Sequence, residues 1–203
     1  MGDAQNIREL KQRIQPDWMG IICYPPSPRY VPTSAAEAIK AIDLLKVGVF
    51  VNASLAEIQE KIAAFGLSVL QLHGEETVDQ VAQIKQVTDL AVFKVLSVKE
   101  EMDWQALEGY LPYVDYFLFD TFTVQYGGSG KQFNWELLLN YPFDKPFLLS
   151  GGIGLDNIHA VKLLANRLPQ LAGIDVNSKF EIRPGFKDIE MLVSMKDLLN
   201  QKE

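Results

Sequence analysis

The sequence is poor in cysteine and positive charge, and it has no apolar run long enough to cross a bilayer. Its one cysteine, Cys23, excludes an internal disulfide and fits a reducing compartment, so we expect a cytoplasmic protein. The formal net charge of −7 and the isoelectric point near 4.9 disfavour nucleic acid or an anionic membrane as a partner. The polar, charged start has no signal-peptide pattern.

The sequence also shows no motif for a metal ion or an organic cofactor. Histidine, cysteine and carboxylates do not cluster at metal-ligand spacing, and no dinucleotide fingerprint follows the first strand, so we expect no metal and no cofactor. The 203 residues, 48% of them apolar, fit one domain with a full core. Without a low-complexity linker, the sequence predicts a single domain over residues 1–203.

Short β-rich apolar runs alternate with amphipathic helical patterns along the whole chain. Strands are expected near Gly20–Cys23, Val47–Val51, Val69–Leu72, Val92–Leu96, Tyr116–Phe119, Phe147–Leu149 and Ile174–Val176. Helical patterns lie near Ala4–Ile14, Ala35–Leu44, Leu55–Phe65, Val78–Gln86, Met102–Leu107, Trp135–Leu139, Asn157–Leu168 and Asp188–Leu199. Ser54, Thr77 and Asp156 stand where helix caps belong.

This alternation predicts an α/β fold of parallel strands joined by crossover helices. Seven strands and eight helices, beginning with a helix, fit an eight-stranded (βα)8 TIM barrel that lacks its first strand better than an open sheet. A missing strand leaves two unpaired edges, which another segment, a neighbouring chain or local distortion has to fill. The oligomeric state is therefore open between a monomer and a homodimer.

Polar residues follow the strands, at the face where barrels carry their active sites. Asp120 ends an apolar run before the glycine-rich segment Gly127–Lys131, and it either does chemistry or caps a turn. Arg29, in a proline-rich loop, either clamps a carboxylate or lies solvated at the surface. His73 is either a donor to a substrate or a structural histidine, and Asp175 bonds either a hydroxyl group or nearby backbone.

The last two strand ends have the composition of a phosphate site. The turn Ser150-Gly151-Gly152 lets backbone amides approach an anion, and a helix follows it closely. Asn177 and Ser178 add donors at the next strand end. Barrels often bind phosphate with these two loops, so a phosphorylated small molecule is the expected ligand.

Taken together, these segments resemble the phosphoribosylanthranilate isomerase family over nearly the whole chain. Each motif alone is unspecific, but their joint occurrence in order is specific. The segments are Tyr24-Pro-Pro-Ser-Pro-Arg-Tyr30, Gly48-Val-Phe-Val-Asn52, Gln71-Leu-His-Gly74, Asp120-Thr121 with Gly127-Gly-Ser-Gly-Lys131, Leu149-Ser-Gly-Gly-Ile-Gly154 with Asn157, and Asp175-Val-Asn-Ser178 with Glu181 and Pro184-Gly185.

The resemblance implies a compact (βα)8 barrel that needs no cofactor or metal. Its reaction is an Amadori rearrangement in tryptophan biosynthesis, in which an acid opens the ribose ring and a base removes the proton from C2. The resemblance makes Asp120 the acid and gives the anthranilate carboxylate to Arg29. It gives further substrate contacts to His73 and Asp175, and the phosphate to the glycine turn with Asn177-Ser178.

One departure concerns the general base. The family's base is a cysteine at the end of the first strand, in a Lys-(Ile/Val)-Cys-Gly motif, and Met1 aligns just after that motif. By alignment Cys23 is not a replacement, because it lies within the second strand of the family pattern. Either a misassigned start codon or a natural truncation accounts for this, and we expect impaired turnover.

Two other functions compete with the isomerase. The missing cysteine supports a non-catalytic barrel that binds a phosphorylated ligand. A related synthase or aldolase would need a catalytic lysine or paired acids on the inner strands, for which Lys94 is the lysine candidate.

Overall fold

The computed structural model describes residues 1–98, 101–121 and 134–201. The glycine-rich segment Gly127–Lys131 therefore lies outside the described residues. The described α-helices are α1 (Ala4–Arg13), α2 (Ala36–Lys40), α3 (Leu55–Phe65), α4 (Val78–Thr88), α5 (Ile158–Arg167) and α6 (Ile189–Asn200). The strands are β1 (Met19–Ile22), β2 (Lys46–Phe50), β3 (Val69–Leu72), β4 (Ala91–Val98), β5 (Tyr116–Thr121), β6 (Phe147–Leu149), β7 (Leu171–Ile174), β8 (Glu181–Arg183) and β9 (Phe186–Lys187).

The seven strands β1 to β7 form one parallel sheet in chain order, and the sheet curls into a half-barrel. Its strands are buried on both faces, as in β2, where all five residues are buried. One face carries Phe50, Leu70 and Phe117 toward the helices. The other face carries Val47, Phe93 and Leu118 into the interior of the curl. This confirms the predicted α/β class.

The outer strands β1 and β7 bound an open side of the sheet. Within the described residues neither pairs with the other. A cavity of about 530 Å³ runs between them and is lined by Gly20 and Ile22 of β1 and by Ala172 and Ile174 of β7. The cavity continues to the carboxyl ends of the strands, where the predicted site residues lie.

Two predicted helix starts are confirmed and one is wrong. Ser54 and Thr77 form full capping boxes with Glu57 and Gln80. Asp156 does not cap α5, because the N-cap position falls on Asn157.

Several elements differ from the sequence prediction, and the helix expected over Ala35–Leu44 ends already at Lys40. The strand expected at Ile174–Val176 runs over Leu171–Ile174 instead. The helical patterns near Met102 and Trp135 form short 3-10 helices over Gln105–Tyr110 and Trp135–Asn140. The 3-10 helix Trp135–Asn140 stops before Tyr141, whose backbone is extended because a proline follows it.

Periodicity does not predict the hairpin β8–β9, since its strands have only three and two residues. Its signal is the turn Pro184-Gly185, in which Gly185 has a φ of 79°. Proline followed by glycine at positive φ is the pattern of a type II turn. The hairpin brings Glu181 and Lys187 to the carboxyl end of the sheet.

Gly48 in β2 has no room for a side chain, and this generates a stability test. A Cβ there would lie 2.4 Å from Leu67 Cδ1 and 2.7 Å from the Phe50 ring, both buried. We expect Gly48→Ala to destabilise the fold by about 1–3 kcal/mol through overpacking, measured by urea unfolding. Gly20→Ala in β1 is the control, because its nearest neighbour would be 3.9 Å away. Equal stability of the two variants would contradict this packing.

Candidate active site

All nine predicted site residues line the same cavity at the carboxyl ends of the strands. They are Arg29, His73, Asp120, Ser150, Gly151, Gly152, Asp175, Asn177 and Ser178. The parallel sheet gathers them because every strand ends on the same rim. Their individual roles remain predictions.

Three titratable groups meet in the middle of this rim. His73 Nε2 lies 3.5 Å from Asp120 Oδ2, with about a fifth to a quarter of each side chain exposed. The other oxygen of Asp120 accepts a hydrogen bond of 2.8 Å from the Thr121 amide. Asp175 lies nearby and is half-buried, and desolvation, followed by the charge of Asp120, raises its pKa.

The glycine turn lies directly against the end of β5. Gly151 and Gly152 have φ of 83° and 69°, a left-handed backbone that favours glycine. A Cβ on Gly151 would lie 2.6 Å from the Thr121 nitrogen and 2.8 Å from Asp120 Oδ1. Asn157 fixes the turn, since it accepts from the Gly154 amide and donates to the Gly152 carbonyl, both at 2.9 Å.

Arg29 is not a solvated surface arginine. Its Nε donates to Glu181 at 2.8 Å, and only 12% of its side chain is exposed, against 4% for Glu181. Glu181 also lies 3.4 Å from Lys187 Nζ, which donates to the side-chain oxygen of Asn177 at 2.7 Å and to its carbonyl at 3.0 Å. The hairpin β8–β9 therefore links the expected carboxylate clamp to the expected phosphate loop.

Sequence reasoning missed Lys187. Burial lowers the pKa of Lys187, and the charge of Glu181 opposes that effect. The lysine ends the two-residue strand β9, so its only sequence signal is its position two residues after the Pro184-Gly185 turn. Its partners lie on other elements and become visible only in the folded chain.

Cys23 is unsuited to act as a base. It is buried, its Sγ donates weakly to the Ile21 carbonyl at 3.6 Å, and burial raises its pKa to about 12. A thiol with such a pKa stays protonated at neutral pH. Within the described part of the chain, Cys23 is not among the residues that line the cavity.

Lys94 is also committed to structure. Its Nζ donates to the Gly74 carbonyl at 2.7 Å and to Glu76 Oε2 at 2.9 Å, and 5% of its side chain is exposed. This pairing disfavours a Schiff-base lysine. Among the described residues, no group of histidine, cysteine and carboxylate side chains could hold a metal ion. The described helices are all too short or too polar to cross a bilayer.

A curled parallel sheet with acids, cations and a glycine turn on one rim defines a barrel enzyme that acts on a small anionic molecule. Comparison with known proteins identifies the family. The family model for N-(5'-phosphoribosyl)anthranilate (PRA) isomerase matches residues 3–197, and the chain belongs to this family.

Individual relatives agree with this assignment. The chain is 43% identical over 202 residues to the N-(5'-phosphoribosyl)anthranilate isomerase of Phocaeicola vulgatus, covering 100% of this chain and 96% of that protein. It is 42% identical over 196 residues to the enzyme of Parabacteroides distasonis, covering 95% and 87%. The crystal structure of the Thermus thermophilus enzyme shares the fold, with a TM-score of 0.82 at 22% identity, covering 98% of this chain and 94% of that one.

The raised pKa of Asp175 generates a pH test. Burial opposes ionisation in the folded state, so folded-state stability is lost as pH rises from the unfolded pKa, about 4, through the raised folded pKa. Asp175→Asn removes the ionisable group and with it this loss of stability at higher pH. We expect its stability relative to the parent to be more favourable at about pH 7 than at about pH 4, measured by urea unfolding. Asp156→Asn, at an exposed carboxylate, is the control. The same difference at both pH values would contradict the prediction.

Proposed function

We propose that the chain is a PRA isomerase acting in tryptophan biosynthesis. The reaction converts N-(5'-phosphoribosyl)anthranilate to 1-(2-carboxyphenylamino)-1-deoxyribulose 5-phosphate, an aldose–ketose isomerisation. The observation that carries the proposal is that all nine substrate residues implied by the family resemblance line one cavity. The substrate is a phosphorylated small molecule, and the reaction requires no cofactor.

Asp120 is the general acid in this proposal. A proton passes from Asp120 to the ribose ring oxygen, the C1–O bond breaks, and the nitrogen lone pair forms the C1=N bond of the Schiff base. A base then removes the C2 proton, and the electrons reach nitrogen to give the enol of the aminoketose. His73, 3.5 Å from Asp120, and the half-buried Asp175 hold the acid in place and contact the sugar.

The two anionic ends of the substrate bind on either side of Asp120. Arg29 takes the anthranilate carboxylate, because its ion pair with Glu181 uses Nε and holds the guanidinium in a fixed orientation. The backbone amides of the glycine turn, with Asn177 and Ser178, take the phosphate. Lys187 supports this loop through Asn177.

The base and the eighth strand form a second part of the proposal. A cysteine-bearing strand between β1 and β7 would complete the (βα)8 barrel and supply the base at the rim. The α-amine of Met1 donates to the Gly20 carbonyl of β1 at 2.7 Å, and its burial lowers its pKa to about 5. Without that strand we propose impaired turnover.

The remaining assignments follow from the same proposal. The chain acts as a single domain over residues 1–203, as a monomer or a homodimer, in the cytoplasm. The buried, unpaired Cys23 is compatible with a reducing compartment. A non-catalytic barrel that binds phosphorylated ligands is the second candidate, favoured by the high pKa of Cys23, which leaves this chain without a suitable thiolate.

The first test restores a base. A protein in which an apolar strand ending in Lys-Ile-Cys-Gly precedes Met1 is compared with chain 1–203 and with a matched Lys-Ile-Ser-Gly version. We expect the cysteine version to turn over substrate about 10²–10⁴ times faster than the serine version, because the two differ only in the base. Inactivity of all three proteins, with inorganic phosphate bound by each, would favour the binding barrel. Full activity of chain 1–203 would contradict the assigned base.

The second test removes the acid from the most active of these proteins. Asp120→Asn keeps the volume of the side chain but has no proton to donate, so we expect turnover to fall by about 10²–10⁴-fold with the fold intact by circular dichroism. Asp43→Asn, at a fully exposed carboxylate, is the control. Turnover that is unchanged by Asp120→Asn would end the proposed role of Asp120.

A further inference from the structure

A buried ion pair lies beneath the rim of the site, away from the substrate residues. Glu76 and Lys94 are 2.9 Å apart, and only 3% and 5% of their side chains are exposed. A buried pair of this kind contributes little net stability, because desolvation of the two charges offsets their attraction. Its hydrogen bonds, however, have fixed directions, so the groups that it holds are informative.

The pair joins the ends of β2 and β3 to the middle of β4. The Glu76 carboxylate accepts from the Asn52 amide after β2 at 2.9 Å and from the Gly74 amide after β3 at 3.1 Å. Lys94 of β4 donates to the Gly74 carbonyl at 2.7 Å. Both polar groups of Gly74 are therefore held by charged partners.

The same loop has no steric freedom. A Cβ on Gly74 would lie 2.4 Å from Asn52 Oδ1 and 2.7 Å from the Asn52 nitrogen. Asn52 itself has a φ of 50°, and its Oδ1 accepts from the Glu75 amide at 2.8 Å. Gly74 therefore contacts the Asn52 backbone on one side and the ion pair on the other, and these contacts fix its conformation.

His73 immediately precedes this fixed residue. Its amide donates to the Phe50 carbonyl at 2.8 Å, so its backbone is held on both sides. Its imidazole is 3.5 Å from Asp120. We propose that Glu76 and Lys94 are positioning residues, which hold His73 against the general acid without contacting substrate. This inference rests on the proposed function, in which Asp120 is that acid.

The charges around His73 come from three elements. Asp120 faces it from β5, Asp175 interacts with it from the end of β7, and the Glu76–Lys94 pair lies behind Gly74. Of these groups, only the Glu76–Lys94 pair can be mutated without altering a predicted substrate contact. Glu76→Gln, and the charge-free double variant Glu76→Gln with Lys94→Met, therefore isolate positioning from binding.

The chain offers a matched control in a second lysine–carboxylate pair. Lys85 and Asp115 are also 2.9 Å apart, and Asp115 accepts from the Val92 amide at the opposite ends of β4 and β5. Asp115→Asn thus disturbs a more exposed pair that shares only β4 with the first, at the end away from the rim. Two histidines in the sequence allow assignment of their ring signals by NMR, with His159 on α5 as an internal reference.

The experiment measures imidazole NMR shifts in chain 1–203 and kinetics in the cysteine-extended protein. We expect Glu76→Gln and the double variant to shift the His73 ring signals and leave those of His159 unchanged, whereas Asp115→Asn leaves both unchanged. We also expect kcat to fall about tenfold to a hundredfold with KM changed much less, since misplacement of a catalytic group costs this much.

Unshifted His73 signals in a folded Glu76→Gln variant, or shifts of the same size in Asp115→Asn, would overturn the inference. If Glu76→Gln fails to fold, the double variant decides, because it leaves no unpaired buried charge. A His73 shift combined with full activity of Asp120→Asn would uphold the positioning and refute the proposed acid. The two proposals therefore fail separately.

Discussion

Parallel pairing of the strands is the constraint on which this molecule depends. Because each strand in a parallel sheet runs in the same direction, every strand from β1 to β7 ends on one rim. The connecting helices cover the outer face, so a strand such as β2 is buried along its whole length and most side chains inside the sheet are apolar. Function is consequently confined to the strand ends, where side chains from distant parts of the sequence meet.

Two buried ion-pair networks support that rim from below and from one side. Glu76 and Lys94 fix the ends of β2 and β3 against β4, while Glu181 and Lys187 connect Arg29 with Asn177. Between them lies an acidic centre that contains Asp120. The proposed acid thus lies between the residues proposed to bind the carboxylate and those proposed to bind the phosphate.

The sequence predicted the rim well because each of its residues follows a recognisable apolar run, as Asp120 follows Phe119 and Ser150 follows Leu149. It did not identify Lys187 or the role of Glu76, because their partners are far away in the chain and leave no periodic signal. The hairpin β8–β9 was too short for periodicity. The 3-10 helices reflect competition between a weak local helix preference and the proline after Tyr141, which composition alone does not settle.

The absence of a side chain at Gly151 has a consequence for how this site can change. Any other residue at Gly151 would occupy the space taken by Thr121 and the Asp120 carboxylate, and it would adopt an unfavourable φ as well. The loop expected to hold phosphate and the acid expected to donate the proton are therefore in direct contact. A substitution at Gly151 that adapted the loop to a ligand without phosphate would also displace the acid. Ligand recognition and chemistry at this rim would therefore have to evolve together.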